Sequence, residues 1–327
     1  MKNGYPNERL NGLARIMVGL GVLGTLAVIA LRVWIVPAQR DIDTGLFTSN
    51  LLVIGLMLAL LAALGAVVFL MRGGARREIV GKPALALSTV LLVVGGVMLL
   101  HGAVELAARL GWVTFYSVTE PWAGEELSLA QVILPWVQTV LSILGGVAMI
   151  LCGLNLASEG GTRRGISKLG LLVPVLWMWF VLANHMITYV SMVRITEGFF
   201  TVGAYVMELL FLFRFAGYMA GVGKHTVGSM LFFSSGAALF ALSAPLVRLL
   251  MHLLQDTEGA SAAGATGPLD LAVGVLALTV SVTLCQSLSA LPVSASEEES
   301  IVWSGPEDVI PEVDLIDEVE AADFSEE

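Results

Sequence analysis

Seven ionisable side chains lie inside long apolar runs of this 327-residue chain. A charged group at the centre of a membrane-spanning helix costs about 2.5–3.5 kcal/mol on insertion scales. Such groups therefore face other helices or a polar cavity, and they commonly serve transport, proton relay or ligand binding. The seven residues are His101, Glu105, His185, Glu208, Arg214, Arg248 and His252.

His101 and Glu105 are four residues apart, which places both side chains on one face of a helix. Arg109 continues the same stripe. Two interpretations fit this spacing. In the first, Glu105 pairs with Arg109 and His101 is an isolated polar residue. In the second, His101 and Glu105 act as two ligands, or as a proton-relay pair, in an outward-facing cavity.

A short polar turn separates the next two apolar runs that carry ionisable residues. His185 lies about ten residues before this turn and Glu208 about twelve after it, so a rise of 1.5 Å per residue predicts similar depths for both. Tyr205 shares a helix face with Glu208, and Asn184 belongs to a polar stripe beside His185. The predicted substrate or proton site consists of His185, Glu208, His101, Glu105, Tyr205, Asn184 and Arg248.

Two imidazoles and two carboxylates would also suit Zn²⁺ or another divalent metal ion. The alternative is therefore an intramembrane metal-dependent enzyme with the ligands His101, Glu105, His185 and Glu208. The chain contains no Walker A sequence, HExxH, GxSxG, Cys-x-x-Cys or Gly-rich dinucleotide fingerprint. The sequence therefore favours a non-enzymatic protein without catalytic residues, a resident metal or another cofactor.

The composition excludes most classes of soluble protein. Hydrophobic residues make up 57% of the chain and charged residues 13%, and the mean hydropathy is +0.85. Soluble domains contain about 25% charged residues. Secreted, cytosolic and nucleic-acid-binding classes are therefore excluded, and the lipid bilayer is the expected surrounding of the chain.

Eight apolar runs are each long enough to cross about 30 Å of hydrocarbon as a helix. They lack the apolar–polar alternation of barrel strands, so the sequence predicts an all-α polytopic transmembrane helix bundle. Pro135, Pro174 and Pro245 lie inside runs and predict local kinks. The predicted spans are residues 14–36, 51–71, 84–110, 129–157, 169–193, 199–221, 227–254 and 269–291.

Charged residues alternate between the connections. The N-terminal segment and the second, fourth and sixth connections are basic, whereas the other connections carry mainly acidic residues. Because basic connections stay in the cytoplasm, this pattern predicts a multi-pass protein of the cell membrane with both termini cytoplasmic.

The last residues of the chain have a different composition. Residues 294–327 contain 13 acidic residues and no Lys or Arg, whereas the net charge of the whole chain is −10. We therefore divide the chain into a transmembrane helical domain, residues 1–293, and a disordered acidic cytoplasmic tail, residues 294–327. Apolar residues between the acids indicate a segment that folds on a basic cytoplasmic partner, and the alternative is a solubilising tail.

The first span also has features of a signal peptide. Basic residues precede an apolar run that ends at Val36-Pro37-Ala38, a small-residue cleavage pattern. The run is long and is interrupted by Arg32 and Trp34 before this site. These two features favour a retained span.

One series of residues extends over the fifth to seventh apolar runs. It consists of Pro174 and Trp177, then Glu208 and Phe213, then Gly223 and Lys224. In this pattern the runs resemble multi-span bacterial membrane proteins of uncharacterised function. The resemblance implies a bacterial cytoplasmic-membrane setting and carries no activity, ligand or catalytic residue.

Three hypotheses about function follow. The leading one is a permease-like or accessory membrane protein, a transporter with an outward-facing polar cavity. The second is a membrane scaffold or sensor that recruits a cytoplasmic protein through its acidic tail. The third is the intramembrane metal-dependent enzyme.

Overall fold

The computed structural model describes residues 6–38, 51–71, 82–113, 129–158, 169–188, 195–220, 227–254 and 267–289. These residues belong to the compact unit Met1–Ala290, and the predicted acidic tail lies outside them. The α-helices are α1 (Pro6–Ala38), α2 (Leu51–Leu70), α3 (Lys82–Arg109), α4 (Leu129–Ala157), α5 (Val173–Thr188), α6 (Ile195–Ala220), α7 (Val227–Leu253) and α8 (Pro268–Ser289).

Within these ranges all regular structure is helical, and eight segments are long and apolar enough to cross a membrane. The prediction of an all-α polytopic bundle is therefore confirmed. The chain is a multi-pass membrane protein, in which each helix satisfies its own backbone hydrogen bonds.

Proline marks the beginning of several helices. Pro174 is the second residue of α5 and follows the 3₁₀ turn Gly170–Leu172, so it lies in the first helical turn. The predicted interior kink at Pro174 is wrong, because the missing N–H of proline removes no helical hydrogen bond there. Pro135 and Pro245 lie inside helices, as predicted.

Helix α7 is the centre of the bundle. It packs against α1, α2, α6 and α8, and 78% of its span is buried, compared with 17% of the span in α2. Glycines allow close approach to α7 on two sides. Gly203 of α6 faces the Phe240 ring, and Gly274 of α8 faces Leu242. Buried hydroxyls add a direct polar contact, since the Oγ atoms of Ser234 and Ser281 are 2.6 Å apart.

Among the described helices, α3 and α4 pack most closely against each other. A Cβ atom placed on Gly95 would lie 2.7 Å from the Gly146 carbonyl oxygen, and one placed on Gly146 would lie 2.7 Å from the Gly95 carbonyl oxygen. The two backbones therefore touch, as small residues permit in membrane helix pairs. Helix α4 also packs against α5, and α3 against α8.

Small residues repeat every seven positions along this α3–α4 contact, which we call the glycine seam. The Ser88 hydroxyl donates a 2.7 Å hydrogen bond to the Gly153 carbonyl, and the Ser142 hydroxyl donates a 3.0 Å bond to the Met98 carbonyl. These pairs show that α3 and α4 run antiparallel. The seam consists of Ser88, Gly95 and Gly102 on α3 and Thr139, Gly146 and Gly153 on α4.

We predict that Gly146→Ala destabilises the protein by about 1–3 kcal/mol, because the added methyl group meets backbone that cannot rotate away. Thermal unfolding of purified protein in detergent measures this loss. Gly96→Ala is the matched control, because a Cβ there meets nothing within 4 Å. Equal melting temperatures for the two variants would contradict a close backbone contact.

Candidate functional site

The predicted stripe on α3 forms two ion-pair contacts through one carboxylate. The Glu105 Oε1 atom is 3.5 Å from His101 Nε2, and the Glu105 Oε2 atom is 3.7 Å from Arg109 Nη2. All three side chains are about one quarter to one third exposed. The pairing of Glu105 with Arg109 and the contact between His101 and Glu105 therefore occur together.

Thr139 of α4 connects this stripe to the neighbouring helix. Its hydroxyl lies 2.9 Å from Glu105 Oε2 and 2.9 Å from the Pro135 carbonyl, so its one proton is shared between two acceptors. The Thr139 oxygen also accepts a 3.2 Å hydrogen bond from Arg109 Nε. Thr139 is completely buried at the end of the glycine seam, which brings α3 and α4 close enough for these contacts.

Polar side chains also form contacts between α4 and α5 and between α5 and α6. Asn184 Nδ2 donates a 3.3 Å hydrogen bond to Gln138 Oε1. The next residue, His185, stacks edge-on against the Tyr205 ring at a centroid distance of 5.3 Å. Together with the α3 stripe they form what we call the polar band, which consists of His101, Glu105, Thr139, Gln138, Asn184, His185 and Tyr205.

Glu208 lies one helical turn beyond Tyr205 on α6. Its side chain is 0% exposed, and neither carboxyl oxygen has a hydrogen-bond partner among the described residues. It occupies the middle of the buried face of α6, where Ala204 and Phe211 are also completely buried. A buried carboxyl group without a partner is rare in folded proteins, and it indicates a functional constraint or a missing water or ion.

Asp270 of α8 is a second buried acid. It is 6% exposed. One Asp270 carboxylate oxygen accepts a 2.6 Å hydrogen bond from the Gly267 backbone N–H, which caps the start of α8. Asp270 stands at the edge of the eighth predicted span, residues 269–291, and is not among the predicted site residues.

Arg32 of α1 was also missed as a buried ionisable residue. It is 1% exposed, and its Cζ atom lies 4.3 Å from the centroid of the Phe200 ring of α6. A cation over an aromatic face is stabilised most when both groups are desolvated. The sequence signal was present, because Arg32 interrupts the apolar run of the predicted span 14–36, but Arg32 is not among the seven ionisable residues predicted to matter inside spans.

The remaining predicted residues lie apart from the polar band. Arg248 and His252 are exposed on the last turns of α7, so the structure does not bring Arg248 together with His185 and Glu208. Arg214 is half-buried, with its Cζ atom 5.4 Å from the Phe233 ring centroid. The structure thus brings His101 together with Glu105 and His185 together with Tyr205, with Glu208 one turn from Tyr205, and it places Arg248 at the exposed end of α7.

A further buried polar group is the indole of Trp177 on α5. Trp177 is 2% exposed, and its indole Nε1 has no hydrogen-bond partner among the residues that the structure describes. An indole N–H is a donor only, whereas the Glu208 carboxylate is an acceptor. Buried groups of both kinds are therefore available to a water molecule or a polar solute.

The geometry also bears on metal binding. In the described part of the chain, no three His, Cys, Asp or Glu side chains are grouped so as to hold a metal ion. His101 and Glu105 lie together on α3, whereas His185 contacts Tyr205 on the other side of α4. The four residues of the metal hypothesis do not form one ligand set.

No protein-family model, curated protein or solved structure shows significant similarity to this chain. The functional argument therefore depends on the geometry of the polar band and of Glu208.

We predict that Thr139→Val lowers stability by about 1–2 kcal/mol, because Glu105 and Arg109 each lose a hydrogen-bond partner between α3 and α4. Thermal unfolding in detergent measures the change. Thr89→Val is the matched control, since the exposed Thr89 hydroxyl bonds only to Leu85 of its own helix. A loss of stability no larger in Thr139→Val than in Thr89→Val would show that the interhelical hydrogen bonds contribute little.

Proposed function

We propose that this protein is a permease-like transporter of a bacterial cell membrane, and that it couples movement of a small solute to a proton bound at Glu208. The observation that carries the proposal is the complete burial of Glu208 with neither carboxyl oxygen hydrogen-bonded. No other described acidic side chain combines these two properties.

The energetics of burial explain why this observation indicates proton binding. An ionised carboxylate in an apolar interior is strongly disfavoured unless it is paired, and it is tolerated when it carries a proton or binds a cation. Neither carboxyl oxygen of Glu208 has a hydrogen-bond partner among the described residues. A residue that performed only a packing role would be served better by Leu or Met.

We propose that protons reach Glu208 through the polar band. It begins with His101 and Glu105, which are about one third exposed, and ends with Tyr205, which is 7% exposed and one turn from Glu208. Imidazole, carboxyl, hydroxyl and phenol groups can each pass a proton. We propose that the band gives protons access to Glu208 from its partly exposed α3 end, at His101 and Glu105.

The charges of the connections between helices indicate from which side of the membrane protons reach Glu208. With both termini in the cytoplasm, α3 ends and α4 begins on the outer side of the membrane. The polar band then lies in the outer half of the bundle and Glu208 about one turn deeper. We propose that protons reach Glu208 from outside, through an outward-facing polar site.

We predict that an acid pH jump produces a transient current in proteoliposomes adsorbed on a solid-supported membrane, because a proton enters a site within the membrane. Glu208→Gln should reduce this current to the level of protein-free liposomes. Glu197→Gln, an acid-to-amide change near the start of the same helix, should retain it. A wild-type current in Glu208→Gln would contradict the proposal.

A second function is favoured by a separate observation, the 13 acidic residues and absence of Lys and Arg in residues 294–327. We propose as the alternative that the helices anchor a scaffold or sensor whose acidic tail binds a basic cytoplasmic protein. Electrostatic attraction to a basic surface would dominate such binding and would weaken with salt.

Deletion of residues 294–327 separates the two functions. We predict that the truncated protein retains the pH-jump current, since the polar band and Glu208 lie in the helices. If the scaffold function is correct, the full-length protein should retain a basic cytoplasmic protein in a salt-sensitive pull-down, and the truncated protein should not. Loss of the current on truncation would contradict a transport role confined to the helices.

A further inference from the structure

Six of the eight helices form a closed ring. From α3 to α8 each helix packs against the next one along the chain, and α8 packs against α3. Helix α1 contacts α2, α7 and α8, and α2 also contacts α7. Because α6 and α8 touch each other across the ring, its interior is narrow. A side chain that points into this interior is surrounded by helices and shielded from lipid.

Contacts of neighbouring residues on α6 determine the direction in which Glu208 points. Met207 packs against Gly236 of α7, and the Tyr205 ring contacts the His185 ring of α5. Since each residue turns a helix by about 100°, Glu208 lies about 100° from Met207 and about 60° from Tyr205, between the two. Glu208 therefore points between α7 and α5, into the interior of the ring.

Apolar side chains flank Glu208 on this interior face of α6. Phe211 and Phe215 lie one and two turns from it, both are at most 2% exposed, and their ring centroids are 5.9 Å apart. Ala204 lies one turn away in the other direction and is also completely buried. The opposite face of α6 is exposed and contains Val206, Leu210 and Phe213. The interior face thus combines one carboxyl group with aromatic rings and a small residue.

Helix α7 contributes a small side chain to the same interior. Ser234 contacts α8 and Gly236 contacts α6, and Ala237 lies between these two directions, about 60° from Ser234 and about 100° from Gly236. Ala237 is completely buried. The contact of Gly236 with Met207 places Ala237 near the depth of Glu208. A small separation of α6 from α7 would therefore open space beside the carboxyl group.

A carboxylate in these surroundings requires a cation that tolerates apolar neighbours. Metal ions such as Ca²⁺ need several oxygen ligands, and no three His, Cys, Asp or Glu side chains in the described ranges are grouped to hold one. An organic cation is more weakly hydrated and is attracted to the faces of aromatic rings. The bundle already contains such a contact, since the Arg32 guanidinium is buried with its Cζ atom 4.3 Å from the Phe200 ring centroid.

We propose that Glu208, Phe211 and Phe215 bind an apolar organic monocation, an amine or a quaternary onium compound, in exchange for the proton of Glu208. In this exchange the neutral carboxylic acid releases H⁺ and the resulting carboxylate pairs with the cation, so the net charge of the site is unchanged. The inference rests on the proposed function, because it uses the same exchangeable proton, and it adds the class of the solute. An inward proton gradient would then drive the cation out of the cell.

Equilibrium binding of radioactive tetraphenylphosphonium to the purified full-length protein in detergent tests the proposal. We expect saturable binding that weakens as the pH falls, because protons compete for Glu208. Triphenylphosphine oxide, which is neutral and has a similar aromatic surface, should not displace the cation. Absence of saturable binding to the wild-type protein would overturn the proposal.

Variants of α6 locate the site. Glu208→Gln should lower the affinity by at least about tenfold and Phe211→Leu by about three- to tenfold, because they remove the counter-charge and one aromatic face. Phe213→Leu is the matched control, since Phe213 is 51% exposed on the opposite face of the same helix, and it should bind as the wild type does. Equal affinities of the two phenylalanine variants would overturn the assignment of the interior face.

A second measurement needs no variant, so it does not depend on the folding of a substituted protein. In a weakly buffered detergent solution at neutral pH, tetraphenylphosphonium should release one proton for each cation that binds to the wild-type protein, and a pH-indicator dye detects this release. Sodium chloride at equal concentration should release none. Saturable binding without proton release would overturn exchange at Glu208.

The two proposals fail in different ways. A pH-jump current that requires Glu208, without saturable tetraphenylphosphonium binding, would overturn the organic-cation site and leave the proton site intact. A wild-type current in Glu208→Gln together with no cation binding would remove both. Cation binding that requires Glu208 and Phe211, without a pH-jump current, would support the cation site and contradict the entry of protons from outside.

Discussion

Helices in hydrocarbon gain little from burying apolar side chains against each other, because lipid tails are equally apolar. Their association depends on close packing and on a few polar contacts between helices. In this protein the closest contact is the glycine seam, where the carbonyl oxygens of Gly95 and Gly146 lie against the opposite glycine. The seam brings Thr139 within hydrogen-bond distance of Glu105 and Arg109. Thr139 and Glu105 both belong to the polar band.

The polar groups of the bundle are arranged in two ways. Residues of the polar band form separate local contacts between α3 and α4, between α4 and α5, and between α5 and α6, so each group compensates part of the desolvation of its contact partner. Glu208 differs, because it is completely buried and its carboxyl oxygens are without hydrogen bonds in the described structure. Among the described residues, Glu208 is the acid whose two carboxyl oxygens are both buried without a hydrogen bond.

Local spacing predicted part of the site and missed part of it. The contacts of His101, Glu105 and Arg109 follow from their four-residue spacing on one helix, and the structure contains both of them. The seven-residue repeat of the glycine seam is also readable in the sequence. Arg248 was predicted in the site and is exposed, whereas Asp270 was not predicted and is buried, since the position of a residue along a span does not reveal which way its helix face points.

The sequence by itself determined the eight membrane-spanning helices. The free energy of transferring a segment into hydrocarbon depends on the composition of that segment alone, so this free energy can be summed residue by residue along the chain. Only the tertiary structure decided that Glu208, Asp270 and Arg32 are buried while Arg248 is exposed. The rotation of each helix is set by packing against neighbours that are distant in sequence, and no local sum contains that information.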